Sequence, residues 1–236
     1  MPTFAKISII NKFIYKGEQD MKIKKPNISY ELNIVEDLLP YIYQAKMEEI
    51  DIVKKRIKDV FITDEDLSHI SFNEVIFENC KFINCSLERS SFIDVIFKSC
   101  DLSNSNFKDG YFNRCEFISC KCIGVNLSNS SLQQSYIMDS NFHYANFDKL
   151  SLNYIFINES DMTSVNMTEC KVKNFQTNTT KFINTNFFNT KLKGIDFTQS
   201  ELEGIIVSSN YTELEGAIIN HFQAAGLIAL LGVVVK

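Results

Sequence analysis

The hydrophobic residues of this chain recur with a period of five. From Leu67 to Val207, every fifth residue is apolar at 28 of 29 positions, and the exception is Thr177. Thirteen of the 20 Phe residues occupy this series. A period of five matches neither an α-helix, with about 3.6 residues per turn, nor a β-strand, with about two. The pattern therefore predicts a chain that turns a corner every five residues.

A second, smaller inward position lies two residues before each large apolar residue. Between Ile70 and Ile205, 22 of these 28 positions are Ala, Cys, Ser, Thr, Gly or Val. Six of the seven cysteines occupy it: Cys80, Cys85, Cys100, Cys115, Cys120 and Cys170. Four sides of five residues predict a square coil of 20 residues, with successive coils stacked about 4.8 Å apart. Ile52, Ile57 and Ile62 keep the register and indicate an imperfect first coil.

This pattern resembles the pentapeptide-repeat family, whose repeat reads Ala, Asp or Asn, Leu and two free positions. The resemblance covers residues 67–207. It implies an all-β solenoid, a right-handed quadrilateral β-helix with an N-terminal cap segment and a C-terminal capping or dimerisation helix. One side carries an asparagine every 20 residues: Asn106, Asn126, Asn146, Asn166 and Asn186. We expect these to stack as an amide ladder, although the family's preference for Asn at this position is the alternative explanation.

The repeat boundaries divide the chain into four segments. We predict a disordered extension at residues 1–31 and an N-terminal cap at residues 32–61. The β-helix is predicted at residues 62–210, and a C-terminal helix with a short strand at residues 211–236. The codons of Lys16-Gly17-Glu18 can contain a ribosome-binding sequence just before Met21. We therefore hypothesise that translation starts at Met21 and that residues 1–20 lie upstream of the true start.

The C-terminal segment predicts an apolar helix. Asn220, followed three residues later by Gln223, is typical of a capping box, and Gly232 is placed to end the helix. Its apolar residues exceed what one side of a short helix buries: Phe222, Ala225, Leu227, Leu230 and Leu231. Family members similar to this chain dimerise through such a helix, so the resemblance implies a homodimer. A cap within a single chain is the alternative.

Two outward columns stand out from the polar surface. One is apolar and predicts a partner surface, which we call the apolar stripe: Ile76, Ile96, Tyr136 and Phe156, with Ile118 and Met138 beside them. The alternative is that residues 32–48 fold back over it. The other column is basic and is typical of a solvated face: Lys171, Lys173, Lys191 and Lys193.

The repeat has one defect, at Phe175-Gln176-Thr177. Here the large residue occupies the small position and the small residue the large one. We expect a compensated swap or a local bulge.

Composition argues against several functions. A net charge of −5 disfavours direct nucleic-acid binding, and no apolar run is long enough for a membrane span. The N-terminus does not resemble an export signal, which predicts a cytoplasmic protein with reduced thiols. Cys80, Cys100 and Cys120 form one column in which neighbours fall within disulfide reach, but they are best explained as core. We predict no catalytic residue, cofactor or metal, since His69, His143 and His221 are scattered and no motif accompanies them.

The resemblance suggests one partner class. The quinolone-resistance members of the family are described as DNA mimics that bind DNA gyrase or topoisomerase IV. Between Leu67 and Val207, however, 15 acidic residues face 12 basic ones, a net charge of only −3. The alternative is a non-enzymatic scaffold for a different cytoplasmic partner.

Overall fold

Seven long strands, one per coil, lie side by side in parallel. In the computed structural model, which describes residues 21–234, they form an eight-stranded sheet together with one short strand at its N-terminal edge. The order of this sheet is β1 (Asn33–Val35), β2 (Ile52–Lys58), β4 (Ser71–Glu78), β6 (Ser91–Lys98), β7 (Tyr111–Ile118), β8 (Ser131–Met138), β9 (Ser151–Asn158) and β10 (Lys171–Asn178). The predicted all-β solenoid is therefore confirmed.

Each coil has four sides. Side 1 and side 2 are the two halves of each long strand, for example Ser71–Asn73 and Ile76–Glu78. Side 3 contains residues 81–83 and their equivalents, and side 4 contains residues 86–88 and theirs. Two pairs of short strands lie on side 3. β3 (Phe61–Thr63) pairs with β5 (Lys81–Ile83), and β11 (Lys181–Ile183) pairs with β12 (Glu201–Glu203).

The register confirms a coil of 20 residues. Phe72 pairs with Phe92, and Phe92 with Phe112. Their rings stack with centroids 5.3 and 4.7 Å apart. A single register therefore places each large residue on its own copy one coil away, and stacked aromatic rings fill the N-terminal half of the core.

The corners are built from left-handed backbone. Every fifth residue from Glu49 to Gly194 has a positive φ, and most of these residues are not glycine. Asn and Asp tolerate this conformation best among side-chain-bearing residues. The series then omits Gln199, and the amide of Thr179 donates to the carbonyl of Gln199. The corner at residues 198–200 thus departs from the pattern of the earlier coils.

The small inward position also satisfies backbone polar groups. Ser105 Oγ donates to the carbonyl of Phe82 at 2.8 Å and accepts from the amide of Cys85 at 3.0 Å. Ser130 makes the same pair of bonds with Phe107 and Gly110. A small hydroxyl or thiol is therefore favoured here because it both fits the core and bonds to the preceding coil.

The asparagine column on side 4 forms the predicted ladder. Asn126 Nδ2 donates to Asn106 Oδ1 at 2.9 Å, and Asn146 Nδ2 donates to Asn126 Oδ1 at 3.2 Å. Four of the five Oδ1 atoms also accept from a backbone amide two residues on, as Asn146 does from Asp148 at 3.1 Å. Asn166 Oδ1 instead accepts from the Thr168 hydroxyl. Each side chain thus closes its own turn and links two coils.

Both ends of the solenoid carry a helix. At the N-terminal end, α1 (Leu39–Glu48) follows β1 and buries Ile42 and Ala45. At the other end, the chain continues through a 3-10 helix (Thr212–Leu214) to α2 (His221–Leu230). Asn220 and Gln223 form the predicted capping box at the start of α2.

Two C-terminal boundaries differ from the prediction. The coil does not end at residue 210, because Asp196 pairs with Ile218 and the amide of Gly194 donates to the carbonyl of Gly216. Residues 231–234 form no strand, since no backbone bond ties 233–234 to a strand edge, and residues 235–236 lie outside the described range.

The swap at Phe175 and Thr177 leaves β10 continuous. Phe175 is buried at the small position, and β10 pairs with β9 without an inserted residue. On the opposite edge, however, β10 pairs with no strand. Among the described residues, no backbone hydrogen bond joins β10 to residues 191–198 of the next coil. We call this gap on sides 1 and 2 the seam.

The ladder gives a first prediction. Replacing Asn146 by Ala removes three hydrogen bonds, two to Asn126 and Asn166 and one to the amide of Asp148. Since each contributes ~0.5–1.5 kcal/mol, we expect the free energy of unfolding in urea to fall by about 2 kcal/mol. Asn113→Ala is the matched control, because no described residue hydrogen-bonds with that half-buried side chain. Equal losses in the two variants would contradict the ladder's role.

Candidate interaction surfaces

The cysteines are part of the core. All seven are free and buried. Burial raises the pKa of Cys115 and of Cys170 to about 12, and the hydrogen bond with Cys120, together with burial, raises the pKa of Cys100 to about 12. These three thiols stay protonated near neutral pH and are poor nucleophiles. Within residues 21–234, no group of His, Cys, Asp and Glu is arranged to hold a metal ion.

The histidines lie far apart in the fold. His69 is at a corner of side 4, His143 is on side 3 and stacks on Tyr144, and His221 begins α2. Because they are separated, no two of these histidines can contribute to one catalytic or metal-binding site. The surfaces of the rod, rather than a pocket with chemistry, are therefore its candidate functional sites.

The apolar stripe is not an exposed surface, so that prediction is wrong for its central members. Ile96, Tyr136 and Phe156 expose only 6%, 3% and 2% of their areas. Ile76, Ile118 and Met138 are half-buried. A column of large apolar side chains on the outside of a sheet favours a covering segment, because leaving it in water costs free energy.

The segment that lies on this face is residues 21–30. Tyr136 Oη donates to the carbonyl of Ile23 at 3.1 Å, and Lys25 Nζ lies 5.5 Å from the centre of the Tyr136 ring. The amide of Lys24 donates to Gln134 Oε1 at 2.8 Å. The predicted disorder is therefore wrong for residues 21–30, while residues 1–20 and the proposed upstream start lie outside the described residues.

An ion pair anchors the other end of this segment. The amide of Asn27 donates to Asp94 Oδ1 at 2.8 Å. Arg114 holds the same carboxylate with two bonds of 2.6 Å. The alternative cover, residues 32–48, is also wrong, because β1 and α1 occupy that stretch at the N-terminal end of the sheet.

The apolar residues of α2 divide into two groups. Leu227 and Leu230 pack against the solenoid core, as do Leu214 and Ile219 before the helix. Phe222 is 78% exposed, Leu231 is 59% exposed, and Ala225 also faces water. One side of α2 therefore covers the last coil and leaves an apolar surface exposed at the end of the rod, to which Ile228 also contributes.

Several surface charges are paired between coils, although within residues 21–234 the four lysines of the basic column are not. Lys121 Nζ lies 3.1 Å from Asp101, and Arg114 pairs with Asp94, in each case 20 residues apart. Lys98 likewise lies 3.3 Å from Glu78. These pairs leave no uniformly acidic side among the described coils. No described helix is both long and apolar enough to cross a bilayer.

The sequence missed the seam as a surface feature. The size swap at Phe175 and the lysines spaced 20 residues apart were both visible in the sequence. What they do together depends on the stacking of one particular pair of coils. That stacking is a property of the folded solenoid.

The chain matches two models of repeat families. Residues 90–162 match the pentapeptide repeat region model, and residues 70–109 match the model for pentapeptide repeats in eight copies. No curated protein matches the chain.

Solved structures similar to this chain include three pentapeptide-repeat proteins. Full-length QnrB1, a plasmid-mediated fluoroquinolone resistance protein, is 21% identical over 78% of this chain and 94% of its own, with a TM-score of 0.46. HetL, involved in heterocyst differentiation regulation in Nostoc sp. strain PCC 7120, is 10% identical over 74% and 81%, with a TM-score of 0.49. A protein of the Arabidopsis thaliana thylakoid lumen is 19% identical over 49% and 66%, with a TM-score of 0.29. None of these similarities identifies a partner of this chain.

The contacts of residues 21–30 give a second prediction. Gln134 has left-handed backbone, so Gln134→Gly removes its side-chain acceptor without backbone strain. We expect hydrogen exchange at the amide of Lys24 to accelerate about five- to tenfold, the equivalent of ~1 kcal/mol. Asn129→Gly, at a left-handed corner on side 4, is the control. An unchanged Lys24 rate would show that Gln134 does not hold this segment.

Proposed function

Because this chain is a pentapeptide-repeat protein, we propose that it acts as a non-enzymatic rod that binds another protein, and that it does so as a homodimer. One observation carries this proposal: the apolar surface of α2 that remains exposed at the end of the solenoid. Its most exposed members are Phe222 and Leu231. A contiguous exposed apolar surface on a soluble protein is typical of a protein contact.

The dimer is proposed to form through the outer side of α2. Phe222, Ala225 and Leu231 face water, whereas Leu227 and Leu230 are engaged with the core of their own chain. The proposed interface therefore centres on the first three residues, with Leu227 and Leu230 supporting the helix from below. An isologous contact of this kind would join two rods at their C-terminal ends.

The cytoplasm is the proposed compartment. Seven buried, unpaired thiols are compatible with a reducing environment. We propose neither a membrane nor a nucleic acid as a direct partner, since the net charge is −5 and several basic residues pair with carboxylates in adjacent coils, as Arg56, Lys98, Arg114 and Lys121 do.

DNA gyrase or topoisomerase IV is the second candidate, as the partner of a DNA-mimicking rod. The stacking of seven long strands favours it, because coils about 4.8 Å apart build a straight rod and a dimer joined at α2 doubles its length. The paired charges oppose mimicry by charge, since duplex DNA carries one phosphate per ~1.7 Å of axis. A different protein partner, recognised through the sides of the rod, is therefore the broader proposal.

The dimer proposal gives a third prediction. Phe222→Asp combined with Leu231→Asp is expected to halve the molar mass measured by light scattering after gel filtration, because two charges would be buried in an apolar contact. Phe61→Asp, at an exposed Phe on the first coil, is the control and should leave the mass unchanged. A monomeric unsubstituted protein at high micromolar concentration would refute the interface.

The topoisomerase candidate gives a fourth prediction. If gyrase is the partner, the purified protein is expected at micromolar concentration to inhibit supercoiling or to protect the enzyme from a quinolone. The Phe222→Asp, Leu231→Asp variant is then expected to lose most of this effect, because only one rod remains. No effect of the unsubstituted protein on gyrase or topoisomerase IV would remove this candidate and leave the dimeric scaffold.

A further inference from the structure

The seam is an opening between two coils that remain joined on their other sides. On side 3, β11 pairs with β12, and on side 4, Asn186 pairs with Ile206. On side 1, the amide of Leu192 donates to the carbonyl of Glu213 in the following coil at 2.9 Å, as the large inward residue does in other coils. On side 2, the amide of Phe197 donates to the carbonyl of Ile218 at 2.9 Å. Residues 191–198 are thus bonded to the following coil and not to β10.

The inward column at this opening departs from the repeat. Phe175 occupies a small inward position, and Ile195 occupies the same position one coil later. Elsewhere this column places Ser135 one coil after Cys115, where Ser135 Oγ accepts from the amide of Cys115 at 3.3 Å. Ile195 has no hydroxyl to offer the amide of Phe175. Phe175 and Ile195 therefore stack without the bond that Ser135 makes. Bulk alone does not separate coils, because Ile155 lies one coil before Phe175 and β9 still pairs with β10.

Like charges add to the separation. Lys171 and Lys191 occupy equivalent outward positions one coil apart, as do Lys173 and Lys193. Like charges facing each other across neighbouring strands are destabilising. Among the described residues, none of these four lysines forms an ion pair. Glu169 lies on the same rim, but its carboxylate is 4.0 Å from Lys149.

The seam opens on side 1 as a cleft of about 550 Å³. Its apolar floor is the half-buried Val172, next to the buried Leu152, and its rim includes Lys171, Lys173 and Lys191. Clefts of ~300–1,000 Å³ are the usual size of ligand sites. An apolar floor beneath an unneutralised basic rim selects for a ligand that is acidic and also carries apolar groups.

The backbone at the seam is that of a free strand edge. In the paired coils, the large inward residue donates its amide to the next coil, as Leu102 does to the carbonyl of Lys121 at 2.7 Å. Val172 and Thr177 are the equivalents in β10, and their amides have no backbone acceptor in the described chain. Such an edge pairs readily with another extended chain.

We propose that the seam binds an extended acidic peptide segment, which adds a strand along the free edge of β10 and places its carboxylates against Lys171, Lys173 and Lys191. A peptide meets all three features of the site, since its backbone pairs with β10, its alternate side chains enter the apolar floor, and the others meet the lysines. On side 2, Gln223 of α2 donates to the carbonyl of Phe197 in the wall of the seam at 2.9 Å. The basic rim lies on side 1, and the variants that test it leave Phe222 and Leu231 unsubstituted, so failure of this proposal is distinguishable from failure of the dimer proposal.

The test uses the full chain and a fluorescein-labelled octapeptide of alternating glutamate and valine, followed by fluorescence anisotropy. Lys171→Glu with Lys191→Glu is expected to weaken binding at least about tenfold, because attraction becomes repulsion. Lys181→Glu is the matched control, an exposed lysine on side 3, and should change affinity less than about twofold. Lys171→Gln with Lys191→Gln, a milder pair, separates loss of binding from loss of fold.

Three results would overturn the proposal. They are the absence of binding up to millimolar peptide, an equal loss in the Lys181→Glu control, and undiminished binding of a peptide whose alternate amides are methylated. A single-stranded oligonucleotide that displaces the peptide and binds more tightly would also overturn it, because a nucleic acid cannot pair with a strand edge. Protection of the Thr177 amide from hydrogen exchange on addition of the peptide would support strand addition.

A closing variant provides a further check on the seam. Phe175→Ser with Thr177→Leu and Ile195→Ser restores the ordinary sizes and a hydroxyl in the inward column. We expect this variant to bind the octapeptide at least about tenfold more weakly while its unfolding temperature stays equal or rises. If the Thr177 amide of this variant is protected from hydrogen exchange in the free protein, the seam has closed. Unaltered peptide affinity in such a variant would contradict binding at the seam.

Discussion

The stacking of each coil on the next in a fixed step of 20 residues is the constraint on which this molecule depends. It places Phe92 on Phe72 and Asn146 on Asn126, so every inward or bonded side chain meets its own copy. The small inward position is the most demanding part, because it must fit the core and also bond to the preceding coil, as Ser105 does. Left-handed corners fix where each side ends. Because the coils are stacked, the size of one side chain affects the packing of the residues above and below it in the same column.

The same constraint explains where the solenoid is irregular. On one edge, β10 still pairs with β9 although Phe175 is stacked on Ile155. On the other edge, towards Ile195, the backbone bonds on sides 1 and 2 are lost. Where a local pattern breaks a rule that the rest of a protein obeys, function is a reasonable expectation. Here the break coincides with an unneutralised basic rim and with Val172, which is only half-buried.

The outer surface is organised by the same vertical repetition. Opposite charges 20 residues apart neutralise each other along the columns, as Asp101 and Lys121 do. Apolar outward residues also gather into a column, and the cost of exposing them favours the segment that includes Ile23 and Lys24. The two ends differ, since α1 closes the first coil whereas α2 covers the last coil with one side and presents Phe222 to water with the other. The sides of the rod are therefore largely self-satisfied, and the C-terminal end and the seam remain available.

The sequence alone determined the repeat, the 20-residue coil, the asparagine ladder, the capping box of α2 and the core position of the cysteines, because each follows from spacing along one chain. Tertiary structure decided the rest. It placed residues 21–30, rather than residues 32–48, near Tyr136, since a cover is chosen by contacts remote in sequence. It divided the helix residues between core and surface, with Leu227 inward and Phe222 outward. It also opened the seam, because the way residues 191–198 stack on β10 decides which backbone groups of β10 stay unpaired.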